Sequence, residues 1–129
     1  MAGKTILIIE DNTIQSEMLV TQLRQQGFHV LIASEGNQTL NRLSNGPLPD
    51  LILLDMLLPS GERDSWWFLD QRQHIPALAA VPVVIMTSLS VACEAWAASL
   101  GAGGLLRKPF DPTALRNEIR HCLGDSVHA

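Results

Sequence analysis

Five short apolar runs set the strongest limit on how this chain can fold. They cover residues 4–9, 28–33, 50–54, 82–86 and 104–106. Each run has the length of a β-strand. The runs over residues 6–9 and 51–54 are apolar at successive positions rather than at alternate ones. Strands of this kind are buried on both faces, which predicts a parallel sheet with helices packed on its two sides.

Helix-like segments separate the five apolar runs. They lie at about residues 13–26, 35–45, 64–74, 90–100 and 112–123. The last segment has clear start signals, because Asp111 can serve as N-cap and Pro112 occupies the first helical position. Gly27 and Gly101 stand where a helix must end before the next strand. Five repeats of strand and helix predict a doubly wound α/β sandwich.

Composition and charge narrow the range of functions. A chain of 129 residues with 47% hydrophobic content has the size of one compact domain. The net charge is −4 and the basic residues are scattered, so we expect no direct binding to nucleic acid or to an anionic membrane. No apolar run approaches the ~18–20 residues of a membrane helix, and the N-terminus lacks a signal-peptide pattern, which predicts a cytoplasmic location. We expect Cys93 and Cys122 to be free thiols.

Polar residues follow four of the predicted strands. They are Glu10 and Asp11, then Asp55, then Thr87 and Ser88, and finally Arg107 and Lys108. Ligands of an open α/β sheet bind beyond the carboxyl ends of its strands, so these side chains should meet in one place. Three acids there would repel one another by roughly 4 kcal/mol per close pair at an effective dielectric near 20. Mg²⁺ is the natural counterion, because it binds carboxylate oxygens and commonly lies beside phosphate.

Four motifs at these strand ends resemble the response regulator receiver family over essentially the whole chain. They are Ile6-Leu7-Ile8-Ile9-Glu10-Asp11-Asn12, Leu53-Leu54-Asp55-Met56-Leu57-Leu58-Pro59, Val84-Ile85-Met86-Thr87-Ser88, and Gly101-Ala102 with Leu106-Arg107-Lys108-Pro109-Phe110. The resemblance implies a flavodoxin-like (βα)5 sandwich with strand order 2-1-3-4-5. It also implies a receiver domain over residues 1–124, a short tail over residues 125–129, and a cis peptide bond between Lys108 and Pro109.

The resemblance further implies a role for each residue of the site. Asp55 would accept a phosphoryl group from a sensor histidine kinase or a histidine phosphotransfer protein. Lys108 and Thr87 would bind the oxygens of that phosphoryl group. The implied Mg²⁺ ligands are Glu10, Asp11, Asp55 and the backbone carbonyl of Leu57. The protein would be a phosphoacceptor that promotes its own phosphorylation and slow dephosphorylation, and not an enzyme that turns over a metabolite.

Three positions depart from the pattern of the family. Leu105 stands where the family usually has Tyr or Phe, whose ring takes part in the conformational switch. Leu57 and Leu89 follow Asp55 and Thr87 by two residues, at positions that flank the hydrolytic water. Because neither leucine side chain can orient water, we expect a long-lived phosphoryl group.

Two other functions stay open on the sequence alone. Since Leu105 breaks the usual switch, the chain could be a receiver-like docking module that signals without phosphorylation. A Mg²⁺-dependent phosphatase or phosphotransferase would also place acids at strand ends, but it normally has an Asp-x-Asp pair where this chain has Asp55-Met56-Leu57.

The output partner is not indicated by the sequence, and a homodimer through the fourth helix, fifth strand and fifth helix is a further alternative. Trp66, Trp67 and Trp96 could either half-bury against their own helices or form an exposed patch for a partner.

Overall fold

A computed structural model describes residues 3–10, 12–33, 36–56, 62–88 and 93–124, and these residues form five strands and six helices. The strands are β1 (Thr5–Ile9), β2 (His29–Ala33), β3 (Leu51–Asp55), β4 (Val83–Thr87) and β5 (Gly104–Arg107). The helices are α1 (Thr13–Gln25), α2 (Gly36–Ser44), α3 (Glu62–Arg72), α4 (Pro76–Ala79), α5 (Glu94–Ser99) and α6 (Pro112–Leu123). All strand pairs are parallel and the order is β2-β1-β3-β4-β5, which confirms the predicted fold.

The two faces of the sheet carry separate halves of the core. One half joins Leu7, Ile52 and Ile85 of the central strands to α2, α3, α4 and α5. The other half joins Ile8 and Leu53 to α1 and α6. Successive side chains of a strand point to opposite faces, so a strand with helices on both sides needs apolar residues at every position. This is why the sequence shows continuous apolar runs.

The helices confirm most of the predicted pattern and add one element. Asp111 caps α6, because its side chain accepts a hydrogen bond from the backbone N–H of Ala114 at 2.7 Å. The short helix α4 was not predicted, and its start signal is only a proline at the first helical position, Pro76. The segment predicted over 90–100 begins as a helix at Glu94, after an extended Cys93. The fourth and fifth predicted helices are therefore α5 and α6.

The side chain of Arg72 connects the segments that precede β4 and β5, at the amino ends of these strands. Its buried guanidinium donates hydrogen bonds to the backbone oxygens of Val81 at 2.7 Å, Gly101 at 3.2 Å and Ala79 at 3.3 Å. Burial lowers the pKa of Arg72 from its usual range. Gly101, which has a φ of 82°, ends the turn after α5 as predicted. Within the described residues, no helix has the length and apolar character needed to cross a membrane.

Candidate functional site

The carboxyl ends of the central strands open into a cleft of about 890 Å³. Glu10 follows β1, Asp55 ends β3 and Lys108 follows β5, and all three side chains line this cleft together with Ser88. In the sheet, β3 lies between β1 and β4, so Asp55 is placed in the middle of the edge. The structure therefore brings together three of the residues that the sequence assigned to one site.

The ammonium of Lys108 contacts three oxygens among the described residues. Its Nζ lies 2.8 Å from Oε1 of Gln15, 3.3 Å from Oε1 of Glu10 and 3.5 Å from Oδ2 of Asp55. The Lys108 side chain is 23% exposed, whereas the two carboxylates are almost completely buried. One partly solvated cation therefore faces two buried acids.

Glu10 has an unusual protonation equilibrium in this setting. Burial, together with the hydrogen bond and repulsion from Asp55, raises the pKa of Glu10 from its ordinary value of 4.5 to about 8, although Lys108 opposes the shift. Burial removes the water that would stabilise a charged carboxylate, and a second acid beside it adds to the cost. At neutral pH the carboxyl group of Glu10 therefore favours its protonated form unless another cation is present.

The carboxylate oxygens of Glu10 and Asp55 are suitable ligands for a hard divalent cation. Oε2 of Glu10 is buried, and among the described residues it has no hydrogen-bond donor. Glu10 and Asp55 line the cleft together, and carboxylate oxygens are the ligands that Mg²⁺ prefers in proteins. The predicted ligands Asp11 and Leu57 lie outside the described residues, as does Leu89. The described part of the site is compatible with Mg²⁺ at Glu10 and Asp55.

Thr87 and the segment after β5 are held close to each other by the backbone. The backbone N–H of Lys108 donates a hydrogen bond to the carbonyl oxygen of Thr87 at 2.7 Å. Thr87 is buried at the end of β4, the strand next to Asp55. The peptide bond between Lys108 and Pro109 is cis, as the resemblance implied.

Two neighbours of the site were not predicted from the sequence. Ser65, at 0% exposure, donates its hydroxyl to the backbone oxygen of Asp55 at 2.7 Å and so fixes the end of β3 to α3. Gln15, in the first turn of α1, is the nearest acceptor to Lys108 within the part of the chain that the structure describes. The N-cap Asn12 was a usable signal for Gln15, because a helix that starts beside β1 places its first turn above the site. No comparable signal pointed to Ser65.

The aromatic residues form a contact that the sequence did not indicate. The rings of Trp66 on α3 and Trp96 on α5 meet edge to face, with centroids 6.0 Å apart and an interplanar angle of 83°. Trp96 and Leu105 both pack, half-buried, against the core beneath α5. Trp66 and Trp67 remain partly exposed, at 39% and 37%. Leu105 thus packs against the same half of the core as Trp96.

Comparison of the sequence with known families gives one clear result. Residues 6–120 match the response regulator receiver domain family. The match spans most of the chain and contains each described residue of the site. The chain therefore belongs to the response regulator receiver domain family.

Individual relatives and solved structures agree with this assignment. The probable transcriptional regulator ycf27 of Guillardia theta is 33% identical over 119 residues, which cover 92% of this chain and 44% of that protein. The chain spans about half the length of the curated relatives it matches. The signal receiver domain of a histidine kinase from Syntrophus aciditrophicus superposes with a TM-score of 0.81, at 26% identity over 98% of this chain and 95% of that one.

A second solved structure shares the fold at lower identity. It is the receiver domain of a sensor histidine kinase from Pseudomonas aeruginosa PAO1, which holds a magnesium ion in its active site cleft. The TM-score is 0.83, with 24% identity over 95% of this chain and 99% of that chain.

Proposed function

We propose that Asp55 accepts a phosphoryl group from a phosphohistidine of a sensor histidine kinase or histidine phosphotransfer protein, and that this reaction depends on Mg²⁺. The observation that carries the proposal is the buried carboxylate pair of Glu10 and Asp55 facing the ammonium of Lys108. Membership of the receiver domain family supports it, because receiver domains are phosphoacceptors of two-component systems. We place the reaction in the cytoplasm, as the sequence predicts.

The proposed chemistry needs few groups from the protein. A carboxylate oxygen of Asp55 attacks the phosphorus, the bond from phosphorus to the histidine nitrogen breaks, and the imidazole leaves with the electron pair. Charge on the transferred group is spread over its three outer oxygens, so catalysis is mainly positioning and neutralisation. Lys108 supplies one positive charge to those oxygens. Thr87, whose backbone oxygen already accepts the Lys108 amide, would donate its hydroxyl.

Glu10, Asp11, Asp55 and the carbonyl of Leu57 would hold the metal in this proposal. Bound Mg²⁺ would neutralise developing charge on the phosphoryl oxygens. The buried Oε2 of Glu10 supports this assignment, as does the magnesium ion in the related Pseudomonas domain.

The output of the protein would be a change in partner binding. A phosphoryl group adds about −1.5 to −2 charges and three strong acceptors beside Thr87 and Lys108. Residues of α5, β5, α6 and the loop before α6 line a second groove next to the site, including Leu105, Phe110 and Asn117. We propose this face for the output partner or for a homodimer. Because Leu105 lacks a ring, repacking around Trp96 would replace the usual aromatic rotation.

Incubation with Mg²⁺ and a small-molecule phosphodonor, followed by intact mass spectrometry, tests the proposal. We expect one added phosphoryl group that hydroxylamine removes, in the wild type and in Asp70→Asn. Asp70 is an exposed acid on α3 and serves as the matched control. Asp55→Asn should gain no phosphoryl group.

The other outcomes distinguish the remaining functions. No adduct in the wild type would contradict the proposal and favour a docking module that signals without phosphorylation. Steady turnover of a phosphoester, without a stable adduct, would favour a phosphatase or phosphotransferase.

A further inference from the structure

The contacts of Lys108 are uneven in a way that its charges do not explain. Among the described residues its shortest contact, 2.8 Å, is to the neutral amide oxygen of Gln15. Its contacts to the two carboxylates are longer, at 3.3 Å to Glu10 and 3.5 Å to Asp55. Hydrogen bonds between an ammonium and a carboxylate are usually about 2.7–2.9 Å long, so both ion pairs are stretched.

A neutral acceptor at this point has a specific physical effect. It satisfies one of the three N–H donors of Lys108 without cancelling the positive charge. The ammonium is thereby held toward α1 and away from the carboxylate oxygens that a cation would need. Gln15 reaches this place because it lies in the first turn of α1, where its backbone N–H is fixed by the side chain of Asn12 at 2.9 Å.

We infer that Gln15 is a positioning residue for Lys108, and this inference rests on the proposed function of the site. The hydrogen bond from Lys108 to Gln15 keeps the ammonium from forming short hydrogen bonds with the two carboxylates. Glu10 and Asp55 therefore stay available to Mg²⁺. Without this acceptor, Lys108 closes onto the two carboxylates and competes with the metal for their oxygens.

Calorimetric titration of the protein with Mg²⁺ tests this role without relying on phosphorylation. Gln15→Met removes the acceptor at nearly constant size and keeps good helix propensity on an exposed position. We expect roughly tenfold weaker Mg²⁺ binding in this variant, because hydrogen bonds that Lys108 gains with the carboxylates must break before the metal can bind. Gln22→Met is the matched control, because Gln22 lies on the same helix and lines the same cleft but is not a partner of Lys108. It should bind Mg²⁺ as the wild type does.

A double-mutant cycle shows whether Gln15 acts through Lys108. In a Lys108→Met background, Gln15→Met should change Mg²⁺ affinity by less than about twofold, because there is no ammonium left to hold. An equal loss in both backgrounds would mean a local structural effect and would overturn the inference. Circular dichroism of each variant checks that the helix content is retained.

The remaining outcomes separate this inference from the proposed function. If the wild type binds Mg²⁺ and Gln15→Met binds it equally well, only the positioning role of Gln15 is refuted. If the wild type itself does not bind Mg²⁺, the proposed function fails and the positioning role fails with it.

Discussion

Replacing Glu10 by Gln should make the metal-free protein more stable at neutral pH, even though it removes a proposed metal ligand. The structure buries Glu10 beside Asp55 and leaves its Oε2 without a donor among the described residues. A glutamine amide at this position cannot ionise, can donate to Asp55, and can still accept from Lys108 through its oxygen. The variant therefore removes the free-energy cost of protonating a buried Glu10 at neutral pH, and it keeps the shape of the site.

The magnitude follows from the protonation of Glu10. Its pKa is raised from 4.5 to about 8, chiefly by burial and secondly by Asp55. Because the folded state holds the proton more tightly than the unfolded state, the associated stability is fully present below pH 4.5 and is lost as the pH rises toward 8. Each pH unit in this window costs about 1.4 kcal/mol. About 3 kcal/mol should therefore be lost between pH 5 and pH 7, a large part of the ~5–15 kcal/mol that stabilises a typical domain.

Urea unfolding, followed by tryptophan fluorescence in EDTA, measures this effect at pH 5 and pH 7. The wild type and the control Glu17→Gln, which changes an exposed acid on α1, should lose stability between the two pH values. Glu10→Gln should lose about 3 kcal/mol less over the same interval. Excess Mg²⁺ should stabilise the wild type at pH 7 more than it stabilises Glu10→Gln. Equal pH dependence in all three proteins would refute the account of the carboxylate pair.

Three further predictions concern other residues. Arg72→Met should destabilise the protein by about 3 kcal/mol or more, because three backbone oxygens lose their donor. An unchanged urea midpoint would show that these hydrogen bonds of Arg72 do not stabilise the fold. Ser65→Ala should cost about 1–2 kcal/mol of stability through the lost hydrogen bond to Asp55, and Ser99→Ala, on the exposed end of α5, should cost less in the same assay. Leu57→Asn should shorten the lifetime of the phosphoryl group, since an amide can orient water; equal decay of radiolabelled wild type and variant would show that Leu57 does not limit hydrolysis.

The fold could be predicted because its strongest signal is local. A strand with helices on both faces must be apolar at successive positions, and the runs around Ile8 and Leu53 carry that pattern in a few residues. The short helix α4 left no such signal, because four residues cannot show helical periodicity and only Pro76 marks its start. The start of α5 was also misplaced, since an extended Cys93 gives no capping signal.

The site was predictable to the extent that the sheet alone positions it. Parallel strands end at one edge, so Glu10, Asp55 and Lys108 had to meet once the strands were identified. The contact between Gln15 and Lys108 depends on how far two long side chains reach, which sequence spacing does not determine. The hydrogen bond from Ser65 to the backbone of Asp55 depends on how α3 packs against β3. The sequence therefore indicated the charges of the site but not the groups that hold them in place.

A crystal structure with Mg²⁺ and beryllofluoride, a mimic of the phosphoryl group, is the most direct test of the central claim. We expect the metal between the carboxylates of Glu10 and Asp55, and beryllofluoride attached to Asp55 within hydrogen-bonding distance of Lys108 and Thr87. Crystals grown in excess of both reagents that show neither of them at Asp55, or show them bound elsewhere, would contradict it.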